Sequence, residues 1–79
     1  MNAEDRKLYW RCRRGMQELD VLLQRYFKTS FPAAGAEEKR AFKKLLDQPD
    51  PQLAAWLIYG QPCPEQPLAS LIQKIRALD

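Results

Sequence analysis

Histidine is absent from the 79-residue chain, and cysteine occurs only twice, as Cys12 and Cys63. The first absence excludes mixed Cys/His zinc sites, Ser-His-Asp triads and Cys-His dyads together. Two thiols cannot complete a structural zinc site either, so no metal ligands are expected. A disulfide between them is disfavoured without a secretory context, and free thiols, buried or half-buried, are the expectation. Glycine is scarce too. Gly15, Gly35 and Gly60 each fall at a helix boundary, and none belongs to a phosphate-binding loop. The longest apolar run, Leu53–Tyr59, is far too short to span a bilayer, and the opening MNAEDRK lacks the apolar stretch of a signal peptide. Alternating strand patterns, internal repeats and low-complexity tracts are missing as well.

What remains reads as one small globular domain over residues 1–79, soluble, cytoplasmic and monomeric. The apolar fraction is 46% and the charged fraction 29%, a globular balance and not a disordered one. Net charge is +3, from 13 Lys+Arg against 10 Asp+Glu, so the placement of charge matters more than its sum. The acid pairs Glu4/Asp5, Glu37/Glu38 and Asp47/Asp50 have ordinary roles as helix-dipole or capping residues. No catalytic or cofactor-binding residue is expected, and an enzyme is not.

The fold class is all-α, a bundle of five short helices. The first is expected over Ala3–Arg14, with Leu8, Tyr9 and Cys12 toward the core and Lys7, Arg11 and Arg14 as a basic stripe at i, i+4, i+7. Residues 6–14 hold Arg6, Lys7, Arg11, Arg13 and Arg14 with no acid among them, and Trp10 lies beside the stripe. A second helix runs from Met16 to about Lys28. Its Met16, Leu19, Leu22, Leu23, Tyr26 and Phe27 share one face. Pro32 enforces a turn, with Phe31 tucked back against the core. The third helix is expected over Ala36–Asp47, capped by Gly35. The fourth covers Pro51–Tyr59, with Asp50 as N-cap, Trp56 in the core and Gly60 as C-terminal cap. The fifth, Pro67 to about Leu78, carries Leu68, Leu71, Ile72, Ile75 and Leu78 on one face.

The segment around Gly15 joins a basic approach, a flexible joint and a core-forming helix. One reading is structural: Arg14 closes a helix, Gly15 caps it and Glu18 opens the next. The other is a glycine that lets a second protein's backbone come close, flanked by a cation and an anion that pair across the contact. The basic stripe is either a solvated face or a surface for an acidic protein or a phosphate backbone. Trp10 among arginines suits a cation–π pair or an interface anchor.

The segments Arg14-Gly15-Met16-x-Glu18-Leu19-Asp20, Tyr26-Phe27, Glu38-Lys39-Arg40-x-Phe42-x-x-Leu45-Leu46 and Asp50-Pro51-x-Leu53-x-x-Trp56-Leu57, with Gly60, together resemble the bacterial FAD assembly factor (succinate dehydrogenase assembly factor) family. The likeness spans roughly residues 6–78. It implies a small five-helix cytoplasmic protein that binds the flavoprotein subunit of succinate dehydrogenase, and also that of fumarate reductase. Such a protein promotes covalent attachment of FAD to a histidine of its client and has no cofactor of its own. The RGxxE motif falls on Arg14, Gly15 and Glu18. The partner surface expected from it comprises these three with Trp10, Arg11, Arg13, Met16 and Asp20. Nucleic acid and membrane insertion are not expected. The alternatives are an antitoxin-like protein or adaptor, and a small basic nucleic-acid-binding module using Lys7, Arg11 and Arg14. The modest net charge argues against the latter.

Overall fold

The computed structural model describes residues 2–78 of the chain. Among them are five α-helices, α1 (Ala3–Arg11), α2 (Gln17–Thr29), α3 (Ala36–Leu46), α4 (Asp50–Leu57) and α5 (Leu68–Arg76), with a 3₁₀ turn at Phe31–Ala33 and no strand. The all-α expectation holds. No helix among the described residues is long and apolar enough to cross a membrane.

Each helix starts and stops for local reasons. Asn2 caps α1, its side-chain oxygen accepting from the Asp5 amide at 2.7 Å, and Glu4 and Asp5 offset the positive end of the helix dipole. Gly35 caps α3 as expected, by extended backbone alone. The turn after α4 needs Gly60, whose φ of +74° lies in the left-handed region.

The core draws on every helix. Leu8 and Cys12 of the first segment meet Leu19, Leu23, Tyr26 and Phe27 of α2. Phe42 and Leu45 of α3, Leu53 and Trp56 of α4, and Leu68, Ile72 and Ile75 of α5 complete it. Phe31 does fold inward. It stacks on Phe27 at 5.1 Å between ring centroids and lies 5.4 Å from Phe42, which in turn lies 4.8 Å from Tyr26. This aromatic row crosses from α2 to α3 through the turn that Pro32 enforces, and each such pair adds a fraction of a kcal/mol to about 1.5 kcal/mol beyond area burial.

Tyr26 brings to this aromatic row a hydroxyl that must find a partner. Its hydroxyl donates to Glu38, and Glu38 accepts from Lys74 Nζ at 3.0 Å, so one carboxylate ties α2, α3 and α5. The tyrosine hydrogen bond and the lysine hold Glu38 below the ordinary glutamate range. Burial, with the neighbouring carboxylate, pushes the Tyr26 hydroxyl above its usual value.

Several boundaries differ from those expected. The first helix ends at Arg11, not Arg14, so Arg14 leaves the stripe begun by Lys7 and Arg11. Met16 is the N-cap of α2, not part of its buried face, and is 39% exposed. Pro49, not Asp50, precedes α4; Asp50 is its first helical residue, and its side chain is engaged elsewhere. The common cause is tertiary, and it lies at Arg14.

Candidate functional site

The connection from α1 to α2 is made by Cys12, Arg13, Arg14, Gly15 and Met16. Its first turn is closed by the Cys12 and Arg13 amides, which donate to Tyr9 and Trp10 carbonyls at 3.0 and 3.1 Å. Cys12 is fully buried, with its thiol on the Leu8 carbonyl at 3.5 Å. Burial pushes that thiol up to about 12, more than the nearby Arg11 and Arg14 lower it. Both cysteines are free thiols, Cys63 half-buried.

Arg14 turns inward. Its Nε donates to Asp50 at 2.8 Å, Nη1 to the Leu46 carbonyl at 2.9 Å and the Arg11 carbonyl at 3.3 Å, and Nη2 to the Gln48 carbonyl at 2.9 Å. The guanidinium therefore meets the last residue of α1, the last residue of α3 and the first residue of α4. The exposed carbonyls of two helix C-termini carry partial negative charge, so a cation is favoured there. Its planar fork can serve several acceptors at once, which a lysine cannot. The Arg14 side chain is 19% exposed. Its backbone amide is held too, donating to Asp20 Oδ1 at 2.5 Å from the first turn of α2.

With its neighbours so anchored, Gly15 projects outward. Its φ is +86°, and a Cβ built there would meet nothing within 4 Å. Glycine is required for the backbone conformation and not for internal room. Met16 and Glu18 are exposed beside it, as is Val21 on the next turn, 44% accessible. These continue into an open groove of about 850 Å³ whose lining includes Leu22, Leu57 and Ile58. Trp10, near the end of α1, is 60% exposed, with the Arg13 guanidinium 5.5 Å from its ring centroid. A cation over an indole at this distance is attractive, and with the edge-to-face contact of Tyr9 it braces the exposed side chain.

The expected site residues thus fall into two groups. Trp10, Arg13, Gly15, Met16 and Glu18 form an outward surface. Arg14 and Asp20 hold it from behind, while Arg11, its side chain 40% exposed, pairs with Asp47 at the surface. The five-cation run consequently presents Arg6, Lys7 and Arg13 outward, because Arg11 and Arg14 have carboxylate partners. Asp47 and Asp50, read as capping residues from the sequence, are those partners. The one local hint was that acids cluster between α3 and α4 while bases cluster between residues 6 and 14. Val21 was also missed. Its signal was an apolar residue lying off the buried stripe of its helix. The described residues contain no group of three or more His, Cys, Asp or Glu able to hold a metal ion.

Comparison with known proteins gives this surface a context. Residues 6–79 match the sequence model of a family described as the flavinator of succinate dehydrogenase. The chain belongs to the succinate dehydrogenase flavinator family. Among its relatives is the FAD assembly factor SdhE of Coxiella burnetii, 46% identical over 92% of this chain and 89% of that protein. The protein of the same name from Legionella pneumophila (strain Paris) is 41% identical over 99% of this chain and 98% of its own length. That from Haemophilus ducreyi is 37% identical over 90% and 87%. In this member of the flavinator family, the segment from Arg14 to Glu18 is a rigidly backed turn with its glycine facing solvent.

Proposed function

We propose that this protein is an assembly factor that binds the flavoprotein subunit of succinate dehydrogenase and promotes covalent attachment of FAD to it. The observation that carries the reading is the open surface at Gly15, in a chain of the flavinator family. A glycine with nothing over it allows another backbone to approach closely, and the exposed Trp10 and Met16 offer large apolar contacts. Glu18 supplies an exposed carboxylate for pairing across the contact. Arg14, Arg11 and Asp20 belong to the same surface at its rim and base. The flavoprotein of fumarate reductase is a second expected client.

The factor carries out no turnover and holds no cofactor of its own. It acts by binding the client conformation in which the flavin and the acceptor histidine lie in reach of one another. A binder can shift a client only by its differential affinity for two states, so preference for that conformation is the whole of its action. The charge supports a protein partner over a nucleic acid, since two of the five cations near the N-terminus are paired with carboxylates of the same chain.

Deleting the gene in its host tests the proposal. Covalently bound flavin, read as in-gel fluorescence of the succinate dehydrogenase flavoprotein subunit, should fall and return on complementation. Unchanged fluorescence in the deletion strain sinks the assembly-factor reading. An affinity capture that returns a toxin or a nucleic acid in place of a flavoprotein would favour the adaptor or nucleic-acid alternatives.

A further inference from the structure

We propose that Asp50 is a positioning residue for the Gly15 surface, acting through Arg14. The proposal rests on the assembly-factor reading for its consequence but on the geometry alone for its mechanism. Asp50 lies 36 positions from Arg14 in sequence and takes no place on the outward surface. Its carboxylate nonetheless makes the only ion pair of the Arg14 guanidinium among the described residues, at 2.8 Å. The remaining acceptors of that guanidinium are neutral carbonyls of Arg11, Leu46 and Gln48.

The consequence follows from charge and geometry. A mostly buried guanidinium without a counterion is costly, and three carbonyl oxygens compensate it only in part. If the Asp50 charge is removed, the cheapest response is for Arg14 to swing toward solvent. Its main chain would follow, because Arg14 and Gly15 are adjacent and Gly15 in the left-handed region has little else to hold it. Asp20 grips the Arg14 amide but not its side chain. The ion pair between Arg14 and Asp50 therefore acts as a strut from the α3–α4 junction to the turn that presents Gly15, Met16 and Glu18. The binding turn is pre-ordered before the client arrives, which lowers the ordering cost of association. The core beneath remains as it was, since Asp50 is half-exposed and the apolar face of α4 does not depend on it.

The test uses full-length protein carrying Asp50→Asn, Arg14→Gln, or both. Asparagine preserves size and is tolerated in the first turn of a helix, so the fold should persist with unchanged far-UV circular dichroism. Amide hydrogen exchange is measured on the free proteins. In Asp50→Asn, exchange at the hydrogen-bonded amides of the turn, Arg13 and Arg14, should quicken by about tenfold or more, while the amides of Leu71 and Ile75 in α5 keep their rates. Affinity for purified succinate dehydrogenase flavoprotein subunit should weaken by about tenfold or more in Asp50→Asn. In the Arg14→Gln background, Asp50→Asn should add nothing further, because the residue works through Arg14. A purely structural role would instead slow or quicken exchange throughout, or persist in the Arg14→Gln background, and either result overturns the proposal. Unchanged exchange at the Arg13 and Arg14 amides overturns it as well, as does quickened exchange with wild-type affinity. If the unmutated protein fails to bind the flavoprotein, the assembly-factor reading falls, and the exchange comparison still decides for or against the strut.

Discussion

Two substitutions at Gly15 separate the demands of its backbone from those of a partner. Alanine at φ +86° meets left-handed strain, roughly 1–2 kcal/mol for an L-residue. It also stiffens the unfolded chain, which returns about 0.4–1 kcal/mol. The net loss should be about 1 kcal/mol, with no clash added, because nothing lies within 4 Å of the new Cβ. For a chain of this size that lowers Tm by about 4–8 °C. Gly15→Arg carries the same backbone strain and directs its bulk outward, so its Tm should match that of Gly15→Ala within about 2 °C. The two should part company in binding. Alanine should weaken affinity for the flavoprotein modestly, while arginine, standing where the partner's backbone approaches, should abolish it. Thermal unfolding followed by circular dichroism and a titration against purified flavoprotein subunit read both quantities. A Gly15→Arg protein that unfolds, or that is far less stable than Gly15→Ala, would mean the position faces the interior. One that binds normally would mean no partner meets the glycine.

Acid should weaken the Tyr26–Glu38–Lys74 link. The folded-state pKa of Glu38 is depressed, so its contribution is complete above the ordinary value of 4.5 and is lost as pH falls through the lowered folded value. Tyr26→Phe should cost about 1.5–3 kcal/mol near neutral pH and visibly less near pH 3, by urea unfolding; a difference independent of pH would contradict the link. Alkali should act through Cys12. Its thiol is raised from 9.0 to about 12, so the unfolded chain loses that proton first and stability declines as pH rises above 9. The slope is about 1.4 kcal/mol per pH unit, and a Tm that stays flat between about pH 8 and about pH 10.5 would refute it. Leu23→Ala, at a fully buried position of α2, should cost about 2–5 kcal/mol by urea unfolding, a large share of the stability of so small a core. A loss under about 1 kcal/mol would show that the site collapses around the missing atoms.

The periodicity of α2 and α5, the proline punctuation before α4 and the glycine after it were legible because they are local. An amphipathic stripe of Leu19, Leu23, Tyr26 and Phe27 needs only a 3.6-residue repeat to declare itself. Gly60 at +74° and Phe31 turned inward beside Pro32 are equally matters of neighbouring residues. The segments around Gly15 and Asp50 could be matched to a family for the same reason, as both are short and contiguous.

The partners of the basic segment could not be read this way. That Arg11 is paired and Arg14 turned inward depends on Asp47 and Asp50, which lie 36 positions further along the chain. Continuing α1 to Arg14 satisfies local propensity, but it would forfeit four hydrogen bonds from a guanidinium poised between three helix ends. Sequence therefore determined which residues are apolar, where helices can form and that no histidine is present. Only the packed bundle decided that Arg14 supports the surface from within while Gly15, Met16 and Glu18 compose it. Helix dipoles and ion pairs at chain reversals act through space, between residues that nothing along the chain connects.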